Sequence, residues 1–324
     1  MTWAAYRAPA RVDLAGGTLD IWPVYALLGP CRTVNVAIRK YARVAVRRGG
    51  TGLRVRCDDG GEANPEMFRH VLARVGARGG WEVVYGSEVP PGSGLGGSSA
   101  LMMCLLAALR SLGAVRGSLH ELVETALDLE AGLIRSPTGR QDFISAVWGG
   151  VQAVSFGGGV WSRESYPRLA GGLEAILHLA PTGVSHRSAA PNWRIVRGAV
   201  EGNARTLRAL GGVRLAGDAA MSACERGEAR SLARAMALDW EARRSLGPFV
   251  STPRVDRAIS ALGEAGCAAR LCGAGAGGTL LVAAPGRLSV RARTVLAGLG
   301  FPLEPVAIER GGMRRVRFDG ERWA

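Results

Sequence analysis

The stretch Pro90-Pro91-Gly92-Ser93-Gly94-Leu95-Gly96-Gly97-Ser98-Ser99-Ala100 runs without a break into the apolar segment 101–109, and it constrains the chain more than any other feature. Its glycines let the backbone turn tightly and aim several N–H groups at one point, and a helix directly behind them adds the positive end of its dipole. The pattern reads as a phosphate cradle. The hydroxyls of Ser98 and Ser99 stand where a phosphate oxygen or a divalent metal can be bound. No lysine closes the loop, so it is not the common P-loop. It also lacks the third spacing and the later acidic residue of a dinucleotide fingerprint. A glycine-rich turn ahead of a buried helix is the plainer alternative for this segment taken alone.

With 324 residues, 48% hydrophobic and 21% charged, the chain has the composition of a globular protein and the length of about two domains. The net charge of +14 does not read as a nucleic-acid footprint: Lys40 is the sole lysine among 41 basic residues, and the arginines are dispersed without interleaved aromatics. A locally positive cleft for a small anionic substrate is enough. Six scattered cysteines with no C-x-x-C pair argue against a disulfide framework or a zinc site. The N-terminus shows no signal peptide, and the longest apolar run, 100–109, is half of what spans a bilayer. The expectation is a cytoplasmic protein without nucleic-acid or membrane partners.

Alternating β-branched residues at 33–38 and 42–46 predict short strands in one sheet, 64–77 a helix, and 81–89 a strand that delivers the chain into the glycine-rich loop. Residues 118–134 predict a helix with a serine cap, and 149–160 a hairpin closing the first half. The pattern restarts with a strand at 175–179, helices between 192 and 265, and strands at 268–271 and 279–283. The expected fold class is α/β (α+β) in two domains, 1–165 and 166–324.

Two further clusters carry chemistry. Arg11-Val12-Asp13-Leu14-Ala15-Gly16-Gly17-Thr18-Leu19-Asp20 sets two carboxylates and a guanidinium around a glycine turn, and a carboxylate can accept two hydroxyl hydrogen bonds from a polyol. Glu130 precedes Asp142 by twelve residues, with Pro137 and Gly139 turning the chain between them so that both carboxylates can face one cleft. Each cluster, taken alone, also fits a turn or a solvated helix face.

Taken in order, the segments 11–20, 90–100, Thr138-Gly139-Arg140-Gln141-Asp142 and Leu271-Cys272-Gly273-Ala274-Gly275-Ala276-Gly277-Gly278-Thr279 resemble the motifs of the GHMP kinases over almost the whole chain. The Ala15-Gly16-Gly17 turn followed by Asp20, and the Gly139-Arg140-Gln141-Asp142 segment, are most similar to the sugar-kinase branch of heptose 7-phosphate kinase, fucokinase and galactokinase. The resemblance implies a two-domain GHMP kinase fold with the active site in the interdomain cleft. It places ATP phosphates on Pro91, Gly92, Gly94, Leu95, Gly96, Gly97, Ser98 and Ser99, and Mg²⁺ on Ser98 and Glu130. Asp142 would accept or orient the acceptor hydroxyl, and Arg11 would neutralise charge on the transferring phosphoryl. Asp20 and Asp13, with Gly17, Thr18, Gly139 and Gly275, would line the substrate.

Two residues depart from the family pattern. Gly97 stands where the first of two serines is common, so the metal ligand is Ser98 or Ser99, and Ala276 replaces a glycine. The segment 180–188, with His186, falls on the substrate side by the same resemblance. The implied activity is ATP- and Mg²⁺-dependent phosphorylation of a sugar or sugar phosphate, at the anomeric hydroxyl, with a homodimer as a compatible assembly. The alternatives are a kinase of a non-sugar alcohol such as a mevalonate derivative and a non-catalytic ATP- and sugar-binding relative.

Overall fold

The computed structural model describes residues 2–184, 189–273, 275 and 277–324. His186, with the rest of 185–188, and Ala276 lie outside the described residues. In chain order the elements are β1 (Ala4–Ala15), α1 (Val24–Leu28), β2 (Cys31–Arg48), β3 (Leu53–Cys57), α2 (Glu66–Arg74), β4 (Trp81–Ser87), α3 (Gly97–Ser111), α4 (Leu119–Ile134), α5 (Gln141–Trp148), β5 (Val151–Gly157) and β6 (Val160–Ser165). There follow α6 (Ala170–Glu174), β7 (Leu177–Pro181), α7 (Ala189–Val200), α8 (Ala204–Arg226), α9 (Ala229–Arg244), α10 (Pro253–Glu264), β8 (Ala268–Leu271), β9 (Thr279–Ala283), α11 (Leu288–Gly298), β10 (Glu304–Pro305) and β11 (Arg314–Arg315).

These elements form two sheets. The larger has the order β11-β1-β2-β4-β3, with β5 joining the free flank of β2 and β6 pairing β5; the smaller runs β10-β7-β9-β8. The fold is therefore mixed α/β, as expected. The two short strands expected at 33–38 and 42–46 are one strand, β2. Its first half pairs β5 and its second half pairs β4, while β1 pairs both halves between Val34 and Val46. The register between β1 and β2 shifts where Pro9 faces Tyr41 but Ala10 faces Ile38, leaving Arg39 and Lys40 in a bulge. That bulge resets the alternation and makes one strand look like two. The strand expected at 175–179 lies at 177–181, because 170–174 coil into α6; those at 268–271 and 279–283 stand as read.

Alternation along β1 sends Ala10, Val12 and Leu14 into a core shared with Val34 and Val36 of β2 and with Leu177, Leu281 and Met236 from the second half of the chain. Arg11 and Asp13 occupy the positions between. α3 and α5 pack on β1 and β2, while α8 and α9 also reach both halves. The chain's end returns to the first sheet: Ile308 bridges Ile38, and β11 pairs β1 at Tyr6 and Arg7. The six cysteines are free thiols, and among the described residues no helix is long and apolar enough to cross a membrane.

Candidate active site

The glycine-rich loop enters α3 through Gly96, whose φ of +74° is the left-handed conformation that favours glycine. As the N-cap, Gly96 has no side chain to occupy the first N–H groups of α3, so these stay available to an anion. Ten residues of α3, Ser99 to Leu109 apart from Leu101, are buried, which fixes the helix end rigidly beneath the loop. Gly94 (φ +76°) abuts the backbone of Cys272 and Gly273, and a Cβ at Gly278 would meet the Ser93 carbonyl at 2.6 Å. Cys272, Gly273 and Gly278, between β8 and β9, thus back the cradle from the second half of the chain. Gly92 and Gly97 line the same turn, with Pro91 and Ser98 exposed and Leu95 and Ser99 buried.

Arg11 joins this loop to the carboxylate of Asp142. Its Nε and Nη2 donate to the two oxygens of Asp142 at 2.6 and 2.5 Å, and its Nη1 donates to the Gly94 carbonyl at 2.5 Å. The Arg11 side chain is 5% exposed and that of Asp142 22%, so the carboxylate opens to solvent while the guanidinium is sealed behind it. Burial alone would lower the Arg11 pKa, but the adjacent Asp142 carboxylate outweighs it and holds the group above its ordinary range. A Cβ on Gly96 would lie 3.3 Å from Asp142 Oδ2, which shows how tightly loop and carboxylate are apposed.

Glu130, on the last turns of α4, gathers three hydroxyls. Thr138 Oγ1 donates to Oε2 at 2.7 Å, while Ser99 and Ser98 approach Oε1 at 3.3 and 3.5 Å. Burial pushes the Glu130 pKa up to about 7, with the Asp142 charge adding to the rise and the hydroxyls opposing it. No described arginine or lysine pairs with Glu130. A buried carboxylate ringed by hydroxyl oxygens and lacking a cation is a donor set that suits a hard divalent metal. Both serines reach the same oxygen. Ser98 is exposed and Ser99 is only 3% so.

The first motif divides its two aspartates between tasks. Asp20 is buried, and its Oδ2 accepts the N–H of Gln141 at 2.9 Å, holding the first turn of α5. Burial raises its pKa to about 6, which the Gln141 N–H opposes and the Asp142 and Asp13 charges reinforce. Gly139 lies flush against this carboxylate, and Thr18 (φ +77°) and Gly17 complete a buried turn beside it.

Asp13 is a correction. Its Oδ2 accepts from Arg270 Nη2 at 2.9 Å and lies 3.7 Å from Arg243 Nη2, and both arginines also bond Asp239 Oδ2, at 2.8 and 3.0 Å. These side chains are 0–3% exposed, so Asp13 belongs to a sealed ionic cluster instead of the substrate surface. Asp239 also accepts the Gly16 N–H at 2.7 Å, and Gly17 has no room for a side chain between Asp13 and Arg243. Gly275 packs on the Val250 backbone. Asp239, Arg243 and Arg270 escaped the sequence reading, although an arginine inside the apolar strand β8 is a visible signal.

The sequence profile of the GHMP kinases N terminal domain matches residues 65–150, and that of the GHMP kinases C terminal matches residues 220–293. No curated protein matches the chain significantly. Among solved structures, the chain is similar to a D-glycero-D-manno-heptose 1-phosphate kinase from Bacteriodes thetaiotaomicron, with TM-score 0.75 and 18% identity over 97% of this chain and 99% of that one. It is also similar to Lactococcus lactis galactokinase complexed with galactose (TM-score 0.77, 16% identity, 97% and 95% covered). L. major mevalonate kinase in complex with R-mevalonate shares the fold at TM-score 0.69 and 17% identity, with 94% and 96% covered. The glycine-rich loop, Glu130 and Asp142 all fall in the first matched segment and the loop that backs them falls in the second, so the matches coincide with the parts that build the cleft: the chain belongs to the GHMP kinase family.

Proposed function

We propose that this protein is an ATP- and Mg²⁺-dependent kinase that phosphorylates a hydroxyl, the anomeric one, of a sugar or sugar phosphate. The observation that carries the reading is Arg11, one guanidinium that binds both the Gly94 carbonyl of the cradle and the half-open carboxylate of Asp142. Phosphoryl transfer depends on aligning donor and acceptor and on neutralising charge. A single buried cation tied to both sides meets both needs. The γ-phosphate of ATP lies against the free N–H groups of α3, and the acceptor hydroxyl faces Asp142. The hydroxyl oxygen bonds to the γ-phosphorus, the bond to the β–γ bridging oxygen breaks, ADP leaves, and the hydroxyl proton passes to the Asp142 carboxylate.

Ser98 and Glu130 are the residues that would hold Mg²⁺, which supplies charge neutralisation at the phosphates when bound. The acceptor side is bounded by Asp142 and Gly139, with the buried turn of Gly17, Thr18 and Asp20 behind them. The division at 165/166 assigns the cradle, metal ligands and acceptor-facing carboxylate to the first domain, and Cys272, Gly273 and Gly278, which back the cradle, to the second. Likeness to heptose phosphate kinase and galactokinase structures supports a sugar acceptor. A screen of reducing sugars, their phosphates and mevalonate for ADP release, with and without Mg²⁺, tests the reading. ADP release with a sugar or sugar phosphate is the expected result; release with mevalonate alone would overturn the sugar assignment.

A further inference from the structure

The turn 138–141, which joins Glu130 to Asp142, is tied down at every residue. Thr138 Oγ1 donates to Glu130, Gly139 bridges Ile21, and the Gln141 N–H is held by Asp20. The remaining residue, Arg140, makes the strongest tie. Its Nε donates to Glu124 Oε1 at 2.8 Å and its Nη2 to Oε2 at 2.8 Å, a bidentate fork on α4. Its Nη1 donates to the Tyr25 hydroxyl at 3.2 Å. The Arg140 side chain is 10% exposed, and Glu124 raises its pKa against the opposing effect of burial.

Glu124 is itself fixed. Trp161 Nε1 donates to its Oε1 at 2.8 Å. This tryptophan sits in a ring cluster: His120 stacks on Trp161 with centroids 4.6 Å apart, Trp148 meets it edge-on at 5.7 Å, and Arg163 lies over Trp148 at 5.0 Å. The cluster's polar contact is the N–H that orients Glu124.

Resting on the kinase reading above, we infer that Arg140 is a positioning residue for phosphoryl transfer, which locks the helix carrying Glu130 to the helix carrying Asp142. Glu124 and Glu130 are six residues apart on α4, about 9 Å along the axis. Arg140 is the N-cap of α5, two residues before Asp142. The Arg140–Glu124 and Thr138–Glu130 bonds thus lace the turn to α4 at two points and set the separation of the two carboxylates. A shift of about 1 Å in such a separation costs on the order of 100-fold in rate.

The test is Arg140→Gln, Arg140→Lys, Glu124→Gln and the Glu124→Gln/Arg140→Gln double variant. We expect Arg140→Gln and Glu124→Gln each to lower kcat by about 10- to 100-fold with KM for ATP unchanged. The double variant should be no worse than either single one, because both remove the same tie. Arg140→Lys, which cannot form the fork, should fall between. Hydrogen exchange should accelerate at the amides of 139–143 in Arg140→Gln while the β1 and β2 amides stay protected. Should Arg140→Gln fail to fold, Arg140→Lys and Glu124→Gln carry the test. Unchanged kcat in these variants of an active enzyme, or multiplied losses in the double variant, would overturn the inference alone. A native protein that transfers phosphate to no acceptor would instead overturn the kinase reading, and this inference with it.

Discussion

Two ionic systems begin two residues apart on β1 and end in opposite conditions. Arg11 reaches Asp142, whose side chain keeps 22% of its surface open, so that lone pairs remain for a hydroxyl. Asp13 reaches Arg270 and Arg243, which close on Asp239 with no side chain more than 3% exposed. The first system joins the glycine-rich loop to Asp142, which the proposed function sets against the acceptor. The second joins the first motif to α9 and β8 of the second half of the chain. Identical chemical groups thus serve reaction or cohesion according to whether one partner keeps access to water.

The largest expected effect tests the sealed system. Arg270→Met leaves Asp13 and Asp239 short of a partner in a dry interior, which should cost about 3–5 kcal/mol of stability, read from urea midpoints. A cost below about 1 kcal/mol would show that this cluster does not hold the halves together.

Asp142→Asn should do the reverse. A loss in kcat of on the order of 100-fold or more is expected, with nucleotide affinity and urea midpoint nearly unchanged. Collapse of nucleotide affinity with surviving turnover would move Asp142 from the acceptor to the donor side.

Glu130 sharpens the comparison through pH. Its folded pKa of about 7 exceeds the ordinary 4.5, so the folded protein retains a proton that the unfolded chain has released. Its contribution is fully present below about pH 4.5 and is lost as pH rises through about 7, amounting to roughly 3 kcal/mol at about 1.4 kcal/mol per pH unit. Glu130→Gln should flatten that decline, and urea midpoints at several pH values decide it. Mg²⁺ added to the native protein at neutral pH should restore the lost stability, since the cation binds the deprotonated carboxylate.

The smallest effect separates the two serines. Ser98→Ala should raise the Mg²⁺ concentration needed for half-maximal turnover more than Ser99→Ala, because Ser98 faces solvent and Ser99 is packed into α3. The opposite order would make Ser99 the ligand.

Much of the open system was legible in the sequence, because the loop 91–99, Glu130 and Asp142 depend on residue identity at short spacing. The serine cap of α4 was read for the same reason: Ser118 accepts the Glu121 N–H at 3.3 Å, and Glu121 answers the Ser118 N–H at 2.7 Å. The fate of Asp13 was not legible, since its partner Arg270 stands 257 positions away and Arg243 lies on a helix where an arginine ordinarily reads as surface. The Arg140 clamp was hidden differently. Its partner Glu124 is only 16 residues away, but pairing requires the angle between α4 and α5, which no local pattern encodes. Long β2 was missed because its bulge at Arg39 and Lys40 breaks the period-two signal.

The most direct measurement is a single-turnover reaction of native and Asp142→Asn protein with Mg²⁺-ATP and each acceptor, with products identified by ³¹P NMR. The account predicts a new phosphate ester on the anomeric carbon of one sugar or sugar phosphate with the native protein, and its near absence with Asp142→Asn under equal nucleotide occupancy. A phosphate ester formed equally fast by Asp142→Asn, or formed by native protein only on mevalonate, would contradict it.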